Sequence, residues 1–400
     1  MRFDVHRAMN RSRQRYYGVS RILLSVLGLW PYDNNRSVKT VKRLSIMVFL
    51  VATVVFQLAA YFRSPECDEN SLINTTCYIL IVCICAVKYC TFWVNEKGIK
   101  EVVDAIGDNW LFLNSKDEQE MFAKYMKSGM LLTYIFAFAI SMLCCIFIYL
   151  LLKKPLDFDF CQSTANLYLT INYFTEDQKF VYVVTLHVTV FYVWIGIAFI
   201  GTESLIMSLF YENAGLFEVI RHRIQNAFSK ETLNIPGIKK EKIVQNKLVE
   251  AVKLHQRILC NYSHEESVVT FSYFLVLLVG VAITILNLLR LSQLKIEMST
   301  LKILVMEIYL IFICFTYIFL INHLCQTVEN NSTKLLFDIY DNLWYLAPVS
   351  SQKLLLFMMQ KSKKNVLSPV GGIFLPGHEG CIKLIKMSFS YFMVIRSVQS

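Results

Sequence analysis

Apolar residues fall in seven blocks separated by polar, charge-rich stretches. A window of about 19 residues places the blocks at 44–62, 72–94, 130–152, 181–211, 268–291, 303–324 and 377–395. As helices rising 1.5 Å per residue, the first six are long enough for a hydrocarbon core of roughly 30 Å, and the seventh only just reaches. Between blocks, apolar residues return at spacings of three and four. Ile99, Val102, Val103 and Ile106 predict a short helix within 95–127. Leu248, Ala251, Val252, Leu259 and Tyr262 predict one before the fifth block, and Leu335, Leu336, Ile339 and Leu343 one after the sixth. Residues 10–29 set Tyr16, Tyr17, Ile22, Leu23, Val26 and Leu27 against Arg11, Arg13, Arg15 and Arg21, an amphipathic helix to lie in the headgroup plane or dock on the spans, closed by Trp30-Pro31. Lys353–Lys364 predicts a last short helix, which Ser368-Pro369-Val370-Gly371-Gly372 and Pro376-Gly377 separate from the final block.

A chain 55% hydrophobic and 14% aromatic, with a mean hydropathy of +0.46, has too little polar surface to cover a soluble globule. The fold class expected is an all-α integral membrane protein of seven transmembrane helices. The net charge of +10 is concentrated beside the membrane, from Arg2 to Arg43 and again between Glu212 and Glu266. The positive-inside rule then puts the amino end in the cytoplasm and, after seven spans, the carboxyl end outside. The organisation follows: a cytoplasmic segment 1–43, spans one to four in 44–211 with an outer loop at 153–179, a cytoplasmic loop and helix at 212–267, spans five and six in 268–324, cytoplasmic anchor helices at 325–364, and a last helix split into halves, its membrane part in 365–400. No cleavable leader is expected, since the apolar run 22–30 is short and has no small-residue cleavage site. Most of the twelve cysteines sit in apolar spans as small hydrophobes, while Cys67 and Cys161 in predicted outer loops could pair.

Chemistry that needs clustered polar groups is missing. There is no His-Glu-x-x-His, no Gly-x-Ser-x-Gly, no glycine-rich phosphate loop and no paired carboxylates within a span, which argues against an enzyme, a bound metal or a cofactor. A proton-coupled transporter would want ionisable residues near the bilayer midplane. Lys88 lies near the inner end of its span and is expected to snorkel to the interface, and Glu203 is expected at that interface too. A G-protein-coupled receptor has the opposite topology and needs Asp-Arg-Tyr and Asn-Pro-x-x-Tyr, both absent. Ser141, Cys144 and Cys145 in the third span allow close helix approach or leave room for a ligand. His187, among aromatics in the fourth, is an interior hydrogen-bonding residue or a pocket residue.

The runs Ile339-Tyr-Asp-Asn-Leu-Trp-Tyr345, Lys353-Leu-Leu-Leu-Phe-Met-Met-Gln-Lys-Ser362, Gly371-Gly-Ile-Phe374 and Lys386-Met-Ser-Phe-Ser-Tyr-Phe-Met-Val-Ile-Arg396 resemble the carboxyl-terminal signature of insect odorant receptors, and Leu254-His-Gln-Arg-Ile258 is similar to that family. The resemblance implies a subunit of a tetrameric, ligand-gated, non-selective cation channel in an olfactory neuron membrane, assembled with the shared co-receptor, Orco. The cytoplasmic loop before the fifth span is shorter than the co-receptor's, which implies an odour-specific subunit. By the same resemblance the last helix lines the pore, with its gate at Val394 and with Tyr391, Ser390, Met387 and Lys383 on the same face. A ring of branched apolar side chains closes a narrow pore by dewetting. The implied odorant pocket lies in the outer half between spans two, three, four and six, where Tyr78, Ser141, Cys145, His187, Phe191, Tyr192, Met306, Tyr309, Phe312 and Ile313 are the candidates. An odorant burying roughly 200 to 300 Å² gains at most roughly 5 to 7 kcal/mol at about 25 cal/mol per Å². Alternatives are a gustatory-type receptor channel, although no Gln-Phe follows Tyr391, and a seven-span receptor signalling through a cytosolic effector.

Overall fold

The computed structural model describes residues 16–63, 69–153, 178–235, 238–293, 301–363 and 367–399. Cys67, Cys161 and the outer loop from 154 to 177 lie outside the described residues. The helices are α1 (16–26), α2 (Arg36–Arg63), α3 (Glu69–Val94), α4 (Glu96–Leu111), α5 (Lys116–Lys153), α6 (Gln178–Ala227), α7 (Lys230–Leu233), α8 (Ile238–Gln293), α9 (Leu301–Asp341), α10 (Val349–Lys363) and α11 (His378–Gln399). Of these, α2, α3, α5, α6, α8 and α9 are long and apolar enough to cross a membrane. The expected seventh span corresponds to α11, 22 residues long.

The bundle differs from the expected pattern in its continuity. The amphipathic segments around 248–260 and 327–343 are not separate helices, because they run unbroken into the fifth and sixth spans as α8, of 56 residues, and α9, of 41. Neither glycine nor proline interrupts 261–267 or 325–334. The buried stripe Leu248, Ala251, Leu254, Ile258 and Tyr262 stays in helical register through the polar junction. With α6, these rods extend well past the roughly 30 Å of hydrocarbon into a second, membrane-external bundle. There Leu248, Leu254, Val328, Leu335, Ile339, Leu355 and Met358 belong to one core with Phe217 and Ile220, so the stripes find their partners within the chain. The stretch 95–127 likewise splits. Here α4 stops at Leu111 and α5 has already begun at Lys116. The start signal is Ser115-Lys116-Asp117-Glu118, a capping box: Ser115 Oγ accepts from Glu118 N–H at 3.1 Å, and the Glu118 carboxylate accepts from Asn114 N–H at 2.7 Å.

Helix α1 docks on the spans. Leu24 and Leu27 are fully buried, Ser204 Oγ donates to Ser20 Oγ at 2.9 Å, and Leu23 reaches α6 at Gly201, where a Cβ would lie 3.1 Å from Leu23 Cβ. It ends earlier than Trp30-Pro31 would dictate. Gly28 takes the left-handed conformation at φ +69°, as helix C-termini favour, and Leu29 N–H returns to Leu24 O at 2.8 Å. The basic residues of α2 serve this joint. Lys42 Nζ donates to Ser25 O at 2.9 Å and Arg43 Nε to Gly28 O at 2.8 Å, cations against the carbonyl end of a helix. Lys39 and Arg43 also pair with Glu96 of α4.

The external bundle is tied by buried polar groups. Glu118 of α5 receives Arg223 of α6 at 2.8 Å with both side chains under 10% exposed. Burial works against the Glu118 charge, but the hydrogen bonds from Arg223 and Asn114 hold its carboxyl below the ordinary range. Glu212 accepts from Tyr17 of α1 and from Asn109 Nδ2 of α4 at 2.8 Å, and Arg257 Nε of α8 donates to Asn109 Oδ1 at 2.9 Å. Deeper still, His255 is 1% exposed, meets Phe217 edge-on at 6.2 Å and lies 3.4 Å from Ser362 Oγ of α10. Burial pushes its pKa down from 6.5 to about 4. The unfolded chain therefore binds a proton near 6.5 where the folded chain does not, so the stability present above pH 6.5 is lost as pH falls toward 4. At 1.36 kcal/mol per unit, moving from pH 7 to pH 5 costs about 2 kcal/mol. Thermal unfolding in detergent should show a lower midpoint at pH 5 than at pH 7, with the gap narrowed in His255→Gln.

Candidate functional site

A cavity of about 260 Å³ opens between α3, α5, α6, α8 and α9. Four of its walls are ordinary span faces brought together by helix packing. Phe136, Ile140, Leu143 and Phe147 of α5 recur at spacings of three and four, opposite Tyr192, Ile195 and Phe199 of α6, while Tyr309, Ile313 and Tyr317 of α9 close a third side. Helix α8 adds Val276, Gly280, Ile283 and Asn287. Close approach of α5 and α6 narrows the space. At Gly196 a Cβ would come 3.1 Å from Cys144 Sγ, and that thiol donates to Tyr192 O at 3.5 Å. Tyr192 stacks on Phe147 at 5.0 Å with planes 6° apart. The lining is almost wholly carbon, and the volume corresponds to about nine waters of liquid, room for a molecule of about ten non-hydrogen atoms.

Two buried ion pairs flank this space. On the side toward α4 and α10, Glu203 of α6 accepts from Lys88 of α3, from Tyr273 Oη of α8 at 2.7 Å and from Tyr317 Oη of α9 at 2.8 Å. The Lys88 ammonium also lies 4.7 Å from the Tyr273 ring centre, 5.4 Å from Phe199 and 5.7 Å from Tyr317, a favourable stack of cation–π contacts. Lys88 therefore does not snorkel outward as expected: its side chain is 6% exposed and that of Glu203 1%. A lone lysine inside a membrane is costly, but here the ammonium is paired with a carboxylate whose remaining capacity is met by two phenol donors. Toward the other ends of α8 and α9, Arg290 meets Glu307 at 3.0 Å with side chains 4% and 0% exposed, so the carboxylates on the sixth and fourth spans each have a basic partner on another helix. Tyr317 both lines the cavity and bonds Glu203, while Tyr273 lines a smaller space of about 60 Å³ beyond it.

Among the residues singled out in the sequence, Tyr192, Tyr309, Phe312 and Ile313 line the cavity. Tyr78 and Phe191 do not. They pack on one another at 5.1 Å and Phe191 turns toward Phe49 of α2. His187 joins that cluster, 4.6 Å from the Phe49 ring and 3.1 Å from Thr53 Oγ1, as an interior hydrogen-bonding histidine. Ser141 and Cys145 face outward, away from the cavity, and the side chain of Met306 lies outside the described residues. The cavity residues missed, Phe136, Ile140, Phe199 and Tyr317, carried a detectable signal: each lies on a helix face that repeats every three or four residues.

On α11 the buried stripe is Cys381, Leu384 and Ser388, set against Leu277, Val281, Ile318 and Ile321. Ser388 Oγ donates to Leu384 O at 3.0 Å, a packing role. Lys383, Met387, Ser390, Tyr391 and Val394 are exposed on the remaining faces, as is Lys386. Val394 is 58% exposed and Tyr391 55%.

The fold and cavity define a helical bundle that holds, among the described residues, six helices long and apolar enough to cross a membrane and an apolar cavity between five of them. The family model for the 7tm Odorant receptor matches residues 69–389, and the chain belongs to the odorant receptor family. Odorant receptor 67b of Drosophila melanogaster is 25% identical over 208 residues, 52% of this chain and 47% of that one, so the match spans about half the length of that curated relative. The structures of the insect olfactory receptor OR5 from Machilis hrabei, alone and in complex with eugenol, superpose with a TM-score of 0.76 over 98% of this chain and 99% of theirs at 13% identity. That likeness is one of fold.

Breaking a buried pair costs about 3 to 5 kcal/mol because it strands a charge, whereas removing both charges is far milder. Lys88→Met should therefore sharply reduce the yield of monodisperse protein in fluorescence-detected size exclusion. Lys88→Met with Glu203→Gln should recover most of it, since the glutamine oxygen still accepts from one of the tyrosines.

Proposed function

We propose that this chain is the odour-specific subunit of a heteromeric, ligand-gated, non-selective cation channel of the plasma membrane of olfactory neuron dendrites. A small volatile ligand occupies the cavity between α3, α5, α6, α8 and α9. The co-receptor Orco supplies the neighbouring subunits, the end carrying α4 and α10 lies in the cytoplasm, and α11 is the seventh span, lining the path of the permeating cations with Val394 at the gate. The observation that carries this reading is the pairing of an apolar cavity between the spans with a membrane-length helix that leaves most of its surface uncovered within the subunit. Leu346, Val349 and Leu356, beside and on α10, are also more than half exposed, and such a patch is consistent with a subunit contact at the cytoplasmic base. The carbon lining favours an odorant whose affinity comes from burial. Opening requires that the ligand prefer the open state by a few kcal/mol, and Tyr317, shared by the cavity wall and the Glu203 cluster, is the side chain through which the cavity's shape reaches α6 and α3.

Whole-cell recording with the co-receptor tests this. Val394→Ala should raise resting current or alter gating, while Tyr309→Ala and Tyr192→Ala should shift odorant potency with conductance unchanged. Unaltered gating in the first variant would remove Val394 from the gate. Odorant-evoked current that persists in an excised patch without nucleotides would separate a channel from a receptor acting through a cytosolic effector.

A further inference from the structure

Away from the cavity, three aromatic rings lie nearly parallel where α9 meets α11. His323 Nδ1 of α9 is 3.5 Å from Nε2 of His378, the first residue of α11. The ring centres are 5.8 Å apart with planes 10° from parallel. Because the nitrogens are much closer than the centres, the imidazoles meet edge to edge, ring nitrogen toward ring nitrogen. Phe319, one turn before His323, lies 15° from the plane of one ring and 7° from the other. The position of His378 is fixed by α9 itself. Asn322 Oδ1 accepts from Gly377 N–H at 3.0 Å and Gln326 Oε1 accepts from His378 N–H at 3.1 Å, so α9 side chains cap the first turn of α11 and hold the second imidazole opposite the first.

Two neutral imidazoles offer lone pairs suited to Zn²⁺, Cu²⁺ or Ni²⁺. In a tetrahedral zinc site, with Zn–N about 2.0 to 2.1 Å, two ligand nitrogens stand about 3.3 to 3.4 Å apart, close to the gap present here. We infer that His323 and His378 form a two-imidazole site for a divalent transition-metal ion, zinc above all, that staples α9 to the first turn of α11. Metal-free, one facing nitrogen carries the proton of an N–H···N hydrogen bond. On binding, that ring shifts to its other tautomer, both facing nitrogens donate to the metal, and no net proton is released while both rings are neutral. Water fills the other coordination positions, for among the described residues no group of three or more His, Cys, Asp or Glu comes together. Such a site binds reversibly and more weakly than a four-ligand structural one. The pair lies at the surface, open to ions from solution.

The test is Zn²⁺ titrated into the purified full-length chain against a chromogenic zinc indicator. Wild type should bind about one equivalent more per chain than His323→Ala or His378→Ala, and the double variant should lose no more than either single one. Equal zinc uptake by wild type and all three variants overturns the inference. This measurement does not depend on channel activity. In excised patches, Zn²⁺ on the face bearing the joint should change odorant-evoked current in wild type and lose that effect in His378→Ala. An absence of any odorant current in wild type would count against the channel reading and leave the binding result to decide the site.

Discussion

Four helices meet at one carboxylate. Glu203 of α6 draws Lys88 from α3, a phenol from α8 and a phenol from α9 into a space with almost no water access, and each partner arrives from a different stretch of the chain. Hydrophobic packing alone specifies little within a membrane, because lipid tails are as apolar as the side chains that face them. A charged centre that must be satisfied in a single geometry sets the rotation and depth of those four rods, and the cavity above it inherits its shape from that registration. The Arg290–Glu307 pair pins the other ends of α8 and α9 together, so these two helices are fixed to one another at two levels.

The continuity of α6, α8 and α9 gives this registration a mechanical extension. A rotation imposed on α9 at Tyr317 is carried without a break to Val328, Leu335 and Ile339 in the external bundle, whereas α11 receives it side-on, from Ile318 and Ile321 and from the Asn322 and Gln326 caps at the end of the loop between α10 and His378. Gly371, at φ +63°, bends that loop where a Cβ would come 2.5 Å from the Phe274 ring of α8. The joint therefore tolerates only glycine.

The all-helical class and six long apolar helices were legible because they rest on local pattern, and the runs around Tyr340 and Tyr391 carried the resemblance to the family. The lengths of α8 and α9 were misread because polar residues such as His264, Glu265 and Glu266 interrupt the hydropathy without interrupting the helix. The Lys88–Glu203 pair was invisible because its members are 115 positions apart and neither spacing nor composition links them. The cavity was half legible. Aromatic residues on α6 could be seen, but which of two neighbours turns inward, Tyr192 rather than Phe191, is decided by how α5 and α2 approach that helix. Ser141 and Cys145 turn away from the cavity for the same reason: small residues mark faces that something approaches, without saying whether that is helix, ligand or lipid.

The buried stripe of α11 ends at Ser388, leaving Tyr391 and Val394 more than half exposed in the turns that follow. Inside the bundle, a change at Phe136 or Tyr317 is judged by neighbours encoded in the same gene. Beyond Ser388, the exposed faces of Tyr391 and Val394 have fewer such neighbours among the described residues. Mutations accepted there are judged by fewer contacts within the subunit than those that reshape the cavity, so the chain's last turns and its cavity are free to diverge at independent rates.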